Sequence, residues 1–141
     1  VFQDASQEYR EDGFIYRYPV ADEEKGFTNF VEWNSGEVRE EHLVYFEKLV
    51  KFCKEKDIGL TLLITPVPQE TYEAYQASYD QEHAYIAALA EKEGLEFLDF
   101  NKEDTGDFSK ALESYVDREG HMTGEAAGVF SRELGKKLKE N

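Results

Sequence analysis

Cysteine is nearly absent from this chain: Cys53 stands alone, so no disulfide can close within its 141 residues. It falls on the apolar stripe of a predicted helix, the place of a small buried hydrophobe. Basic residues are also scarce, with 16 Lys and Arg against 31 Asp and Glu, for a net charge of -15 and a pI near 4.5. A surface of that sign repels phosphate backbones and anionic headgroups, which argues against nucleic acid as a partner. Cationic partners and neutral substrates fit it better, although acidity of this kind also serves solubility alone. No apolar run approaches the roughly 18 residues of a membrane span, and no basic start with an apolar middle marks a signal peptide. The expectation is no direct membrane insertion by this chain and no export address of its own, either of which a larger parent could supply. Its opening on Val1-Phe2-Gln3 fits a processed product or an excised part. A glycine-rich phosphate loop, a CxxC pair and a GxSxG elbow are all missing, which sets aside nucleotide hydrolases, thiol redox enzymes and ordinary α/β-hydrolases.

What is present suffices for one core: 40% hydrophobic residues, with 14% aromatic. Residues 1–36 mix acids, glycines and aromatics, with weak alternation over Phe14-Ile15-Tyr16-Arg17-Tyr18, and read as an irregular segment with one or two short strands. From Glu37, the helical spacing of Leu43, Phe46, Val50 and Cys53 predicts a helix to about Lys56. Ile58 to Thr65 is a β-rich apolar run stopped by Pro66 and Pro68, as in a strand buried on both faces of a parallel sheet. A long helix is predicted over 69–93, carrying Tyr72, Tyr75, Tyr79, His83 and Ile86 on one side and closed by Gly94. Leu95 to Phe100 gives a second strand. A polar loop with a helical turn around Phe108 to Leu112 leads to a last helix from Thr123 to Lys139, capped by Thr123, with Lys136, Lys137 and Lys139 complementing its dipole. Helix, strand, helix, strand implies a βαβ crossover and the α/β class.

Chemistry concentrates in Asp117-Arg118-Glu119-Gly120-His121-Met122-Thr123-Gly124-Glu125-Ala126-Ala127. An acid near a histidine can fix the ring's tautomer and stabilise its charged form, so His121 could act as a general base with Asp117 behind it. Alternatively, His121 only caps or packs the final helix. Asp117, Glu119 and His121 could also be a small cation cluster, but their spacing matches no strong metal signature, and neither metal nor cofactor is expected. His83 among tyrosines reads as a partly buried helix-face residue. The tyrosine face from Tyr72 to Tyr79 could stack on sugar rings or serve as packing. In an open parallel sheet, ligands gather beyond the carboxyl ends of the strands, which places the Thr65 to Gln69 loop and the loop after Phe100 at that edge, with His121 facing the same crevice.

Taken together, Tyr45-Phe46-Glu47-Lys48-Leu49-Val50, the strand into Thr65-Pro66-Val67-Pro68, the strand ending Leu98-Asp99-Phe100 and the Asp117 to Ala127 block resemble the carboxyl-terminal half of SGNH/GDSL-like hydrolases. The likeness is to bacterial cell-envelope members related to the D-alanyl transfer protein of teichoic acid modification, and covers roughly residues 37–139. It implies a three-layer α/β sandwich with a mainly parallel, flavodoxin-like sheet, here incomplete, formed by residues 37–141. It further implies His121 as general base, Asp117 as orienting acid, and Thr65, Pro66, Gln69 and Tyr72 along the substrate site. The implied activity is that of an esterase or acyltransferase on O-acyl groups of a surface polysaccharide, in the cell envelope or outside the cell. The family spaces its pair Asp-x-x-His, one residue less than Asp117 and His121, so the loop must bulge or Glu119 must substitute. The Gly-Asp-Ser nucleophile block is missing, since Ser6 follows no predicted strand and Ser35 precedes a helix with no strand before it, and no clear oxyanion-hole asparagine follows the central strand. A non-catalytic envelope domain binding a glycan or protein is therefore the other reading, and uncovered strand edges would favour a homodimer.

Overall fold

Leu43, Phe46, Val50 and Cys53 do share one helix: α1 runs Glu40–Glu55 and buries Val50 and Cys53. The computed structural model describes residues 5–10, 13–21, 23, 25–26 and 32–140; the rest of the N-terminal segment and residue 141 lie outside the described residues. The architecture is mixed α/β. The chain forms two compact units that interleave along the sequence. One comprises Val1–Phe30, Thr65–Ala74 and Phe100–Asn141, the other Val31–Ile64 and Tyr75–Asp99.

The second unit holds α1, β3 (Thr61–Ile64), α3 (Gln76–Glu93) and β4 (Glu96–Asp99). β3 and β4 pair in parallel, in register from Thr61 opposite Glu96 to Ile64 opposite Asp99, as the apolar runs predict. The strand is shorter than the apolar run. The Ile58 N–H donates to the Cys53 carbonyl at 2.9 Å, so the first residues of the run are spent closing α1. Nor is β3 buried on both faces, since Leu63 is 39% exposed. Burial on both faces requires a covering layer on each side of a sheet, and among the described residues this sheet has two strands. Lys54 reaches the Glu93 carbonyl at 2.8 Å, and Lys92 meets Glu47 at 2.9 Å, tying α1 to α3.

The helix predicted over 69–93 is two helices. α2 (Gln69–Ala74) ends before Tyr75, whose φ of -123° and ψ of 27° leave helical geometry, and whose carbonyl starts α3 by accepting from Ser78 and Tyr79. No glycine or proline marks this break; it coincides with the passage from one unit to the other. Gly94 closes α3 in the left-handed conformation (φ 65°), its N–H bonded to the Ala90 and Glu91 carbonyls.

In the first unit, β1 (Gln7–Tyr9) and β2 (Ile15–Arg17) form an antiparallel hairpin, and α4 runs Gly124–Glu140. Thr123 caps α4 as predicted, its Oγ1 accepting from the Ala126 N–H at 3.3 Å. Phe100, Phe130, Phe108 and Tyr115 build the core in successive edge-on contacts, with ring centroids 4.9, 5.4 and 6.0 Å apart. The helical turn predicted around Phe108 lies at Leu112–Ser114 instead, because Phe108 is drawn into this cluster. Among the described residues, no helix is long and apolar enough to cross a membrane.

Phe100 is fully buried and Leu49 is half exposed. Phe100→Ala should therefore cost roughly 3–5 kcal/mol, and Leu49→Ala should stay near about 0.5 kcal/mol. Urea unfolding followed by near-ultraviolet circular dichroism reads both.

Candidate active site

The Asp117 to His121 loop is pinched at its neck. Tyr115 and Met122 form an antiparallel bridge, the Val116 N–H donates to the His121 carbonyl at 2.8 Å, and the Thr123 N–H donates to the Ser114 carbonyl at 2.9 Å. Inside it, Asp117 Oδ1 accepts from the backbone N–H groups of Glu119 (2.9 Å), Gly120 (3.1 Å) and His121 (3.2 Å). Asp117 Oδ2 lies 2.7 Å from His121 Nδ1. One carboxylate thus shapes the loop and orients the ring.

Gly120 makes this possible. Its φ of +106° lies where side chains are strained, and a Cβ there would come within 3.0 Å of Val67 Cγ1. The turn accommodates the three residues between Asp117 and His121, so Asp117, and not Glu119, is the partner of the ring.

The loop is bolted to the segment that follows β3. Tyr115 is wholly buried, and its hydroxyl donates to the Pro66 carbonyl at 3.2 Å; burial raises its phenol above the ordinary value. Thr71 Oγ1 donates to the Arg118 carbonyl at 2.7 Å, Arg118 Nε donates to the Lys25 carbonyl at 2.9 Å, and the Arg118 guanidinium pairs with Glu70. Buried Lys25 in turn donates to the Leu112 carbonyl at 3.0 Å. These anchors fix the backbone, yet the His121 side chain stays 54% exposed, against 25% for Asp117. With an ionised carboxylate facing Nδ1, the neutral ring carries its proton there and presents the Nε2 lone pair to solvent.

The candidate substrate residues are differently placed. Thr65 and Gln69 are exposed, whereas the Pro66 ring is enclosed and meets the loop through its carbonyl. Gln69 binds Glu73 through Nε2 at 2.9 Å and lines a cavity of about 490 Å³ with Glu70, Glu73, Lys110, Glu113 and Arg118; His121 is not among its walls. The Tyr72 hydroxyl accepts from Lys102 Nζ at 3.1 Å. The expected continuous tyrosine face is split, with Tyr72 on α2 in one unit and Tyr79 on α3 in the other. Tyr79 is half-buried, and burial, then Glu82 and Tyr75, push its phenol up to about 12, as packing would.

Among the described residues, Asp117 is the side-chain partner of the His121 ring, and no serine hydroxyl bonds to it. Ser78 accepts from the Trp33 N–H, Ser109 from the Ala111 N–H, and Ser131 donates to the Ala127 carbonyl. Asp117, Glu119 and His121 could each offer a metal ion one atom, all within 4.8 Å of one another. Asp117 Oδ1 also holds the three loop amides, and Oδ2 the His121 ring.

The sequence reading missed a second such pair. In the other unit, His83 Nδ1 lies 2.8 Å from Asp99 Oδ2, with Asp99 4% exposed and the His83 ring 5.3 Å from that of Phe97. The available signal was Asp99 at the end of β4, following the apolar pair Phe97-Leu98. His83 is partly buried on α3, as its surroundings in sequence predict. His42 Nδ1 accepts from the Arg39 N–H at 3.4 Å at the start of α1.

Comparison with protein-family models, curated proteins and solved structures finds no match to this chain.

Asp117→Asn keeps an oxygen for the three amides but turns an amide N–H toward the ring, so the loop should persist while the His121 proton moves to Nε2, visible in ¹⁵N spectra. Asp117→Ala should instead lose amide protection over 119–121 and roughly 1–3 kcal/mol of stability.

Proposed function

We propose that this chain acts on O-acyl groups of a cell-surface polysaccharide as an SGNH-like esterase or acyltransferase, with His121 as general base and Asp117 as its orienting acid. One observation carries the reading: the 2.7 Å bond between His121 Nδ1 and Asp117 Oδ2 in a backbone-locked loop that leaves the other face of the ring in solvent. His121 Nε2 takes the proton of an attacking hydroxyl as its oxygen bonds to the ester carbon. The proton then passes to the departing sugar oxygen as the old ester bond breaks, while Asp117 stays ionised and stabilises the imidazolium. With water as the hydroxyl the outcome is hydrolysis; with an acceptor hydroxyl it is transfer. The family places a serine first in this sequence. Because no serine of the described residues bonds to the ring, the attacking hydroxyl here is water, the acceptor, or a serine of another segment or polypeptide.

The same proposal extends to architecture and setting. β3 and β4 would be part of a wider parallel sheet in a three-layer SGNH-like sandwich, their open edges covered by further strands or by a second copy in a homodimer. The cell envelope or the extracellular space would be the place of action. A second reading, a non-catalytic domain binding glycan or protein, draws on the polar cavity lined by Gln69 and Arg118, from whose walls His121 is absent.

Release of acetate from an O-acetylated polysaccharide, and of nitrophenol from a chromogenic acetyl ester, should fall on the order of 10²–10⁴-fold in His121→Ala and drop sharply in Asp117→Asn, with His42→Ala unaffected. Equal rates in wild type and His121→Ala, with retained binding of the polysaccharide, would leave the binding reading in its place. Labelling by a fluorophosphonate would reveal a serine nucleophile.

A further inference from the structure

Between α1 and α3, above β3, the second unit forms a cleft, open to solvent, of about 370 Å³ with walls that include Trp33, Phe46, Leu62, Glu82, Tyr85 and Leu89. Its volume lies in the range of small-molecule sites, which are mostly apolar with a few convergent polar groups. The polar groups here are unspent. Among the described residues, the Glu82 carboxylate has no hydrogen-bond or ion-pair partner, and the Tyr85 hydroxyl makes no hydrogen bond. Four bases of the unit pair with other acids: Arg39 with Glu41, Lys51 with Glu55, Lys54 with Glu93 and Lys92 with Glu47. His42, also in the wall, accepts from the Arg39 N–H at Nδ1 at 3.4 Å.

We propose that this cavity binds an organic cation with an apolar body, an alkylammonium group, whose charge meets Glu82 and the faces of Trp33 and Tyr85 while its methylenes lie against Phe46, Leu62 and Leu89. Trp33 and Tyr85 both line the cavity and pack against each other with ring centroids 5.2 Å apart at 50°, and rings of this kind attract ammonium groups through their quadrupoles. Burial, and then the like charge of Asp99, hold the Glu82 carboxyl above its ordinary range. A bound cation offsets both effects, whereas a bound anion would add to them. The net charge of -15 acts in the same direction, drawing cations to the protein and repelling anions. This site is independent of the His121 loop and of the activity proposed for it.

Trp33 is the chain's one tryptophan, so its emission reports on the cavity without a label. Titration of the intact chain with hexyltrimethylammonium should give a saturable change in Trp33 fluorescence, and hexanoate of the same length should give none. Glu82→Gln, whose side chain has the same shape, should weaken the cation at least about tenfold, or roughly 1.4 kcal/mol, with the far-ultraviolet circular dichroism unchanged. No saturable response to the cation, an equal response to hexanoate, or unaltered affinity in Glu82→Gln would overturn the assignment. The cation and carboxylate comparison in the wild-type chain stands even if the variant does not fold.

Discussion

The carboxylate of Asp117 is the constraint on which the candidate site depends. Three amides converge on one of its oxygens and an imidazole on the other. A loop of this length, if held only at its ends, would lose the ring to rotamer freedom; tied through its own backbone to the group that orients the ring, it holds the imidazole in one place. The turn at Gly120 accommodates the three residues between acid and base. A β-branched or aromatic residue in place of Gly120 would face both a positive φ and the Val67 side chain.

Around that carboxylate, the anchoring is polar where it meets the chain and aromatic where it meets the core. Tyr115 does both, with its ring against Phe108 and its hydroxyl on the Pro66 carbonyl. Arg118 spends its charge on Glu70 and its Nε on a backbone carbonyl, while the His121 ring at the end of the loop stays half exposed. The buried Lys25 ammonium and Tyr115 hydroxyl are thus bonded to backbone carbonyls, while the His121 side chain stays half exposed.

The two acid–histidine pairs show how the same chemistry diverges with setting. Asp117 and His121 sit on a loop with the ring half in solvent, and Asp99 and His83 join a strand end to a helix with the acid almost fully enclosed. In the second pair the ring neighbours Phe97, and its hydrogen bond to Asp99 satisfies a buried carboxylate within a packed element. The 370 Å³ cleft in the same unit has the opposite character, an apolar hollow whose single acid has no counter-charge.

Local sequence pattern determined the elements with strong periodicity. α1, α4, the parallel strands, the Gly94 and Thr123 caps and the proximity of Asp117 to His121 follow from spacing and from residues that admit few conformations. Tertiary structure decided the rest. The break at Tyr75 has no local signal because it arises where the chain leaves one unit for the other. Phe108 left its expected turn for an aromatic cluster assembled from Phe100, Tyr115 and Phe130. The pairing of His83 with Asp99 joins a helix face to a strand end, and the unpartnered state of Glu82 depends on which bases find other acids. Periodicity says which side of an element is apolar, but only the packed chain fixes which groups from distant segments meet there, because that choice is made by the burial and hydrogen bonding of all of them at once.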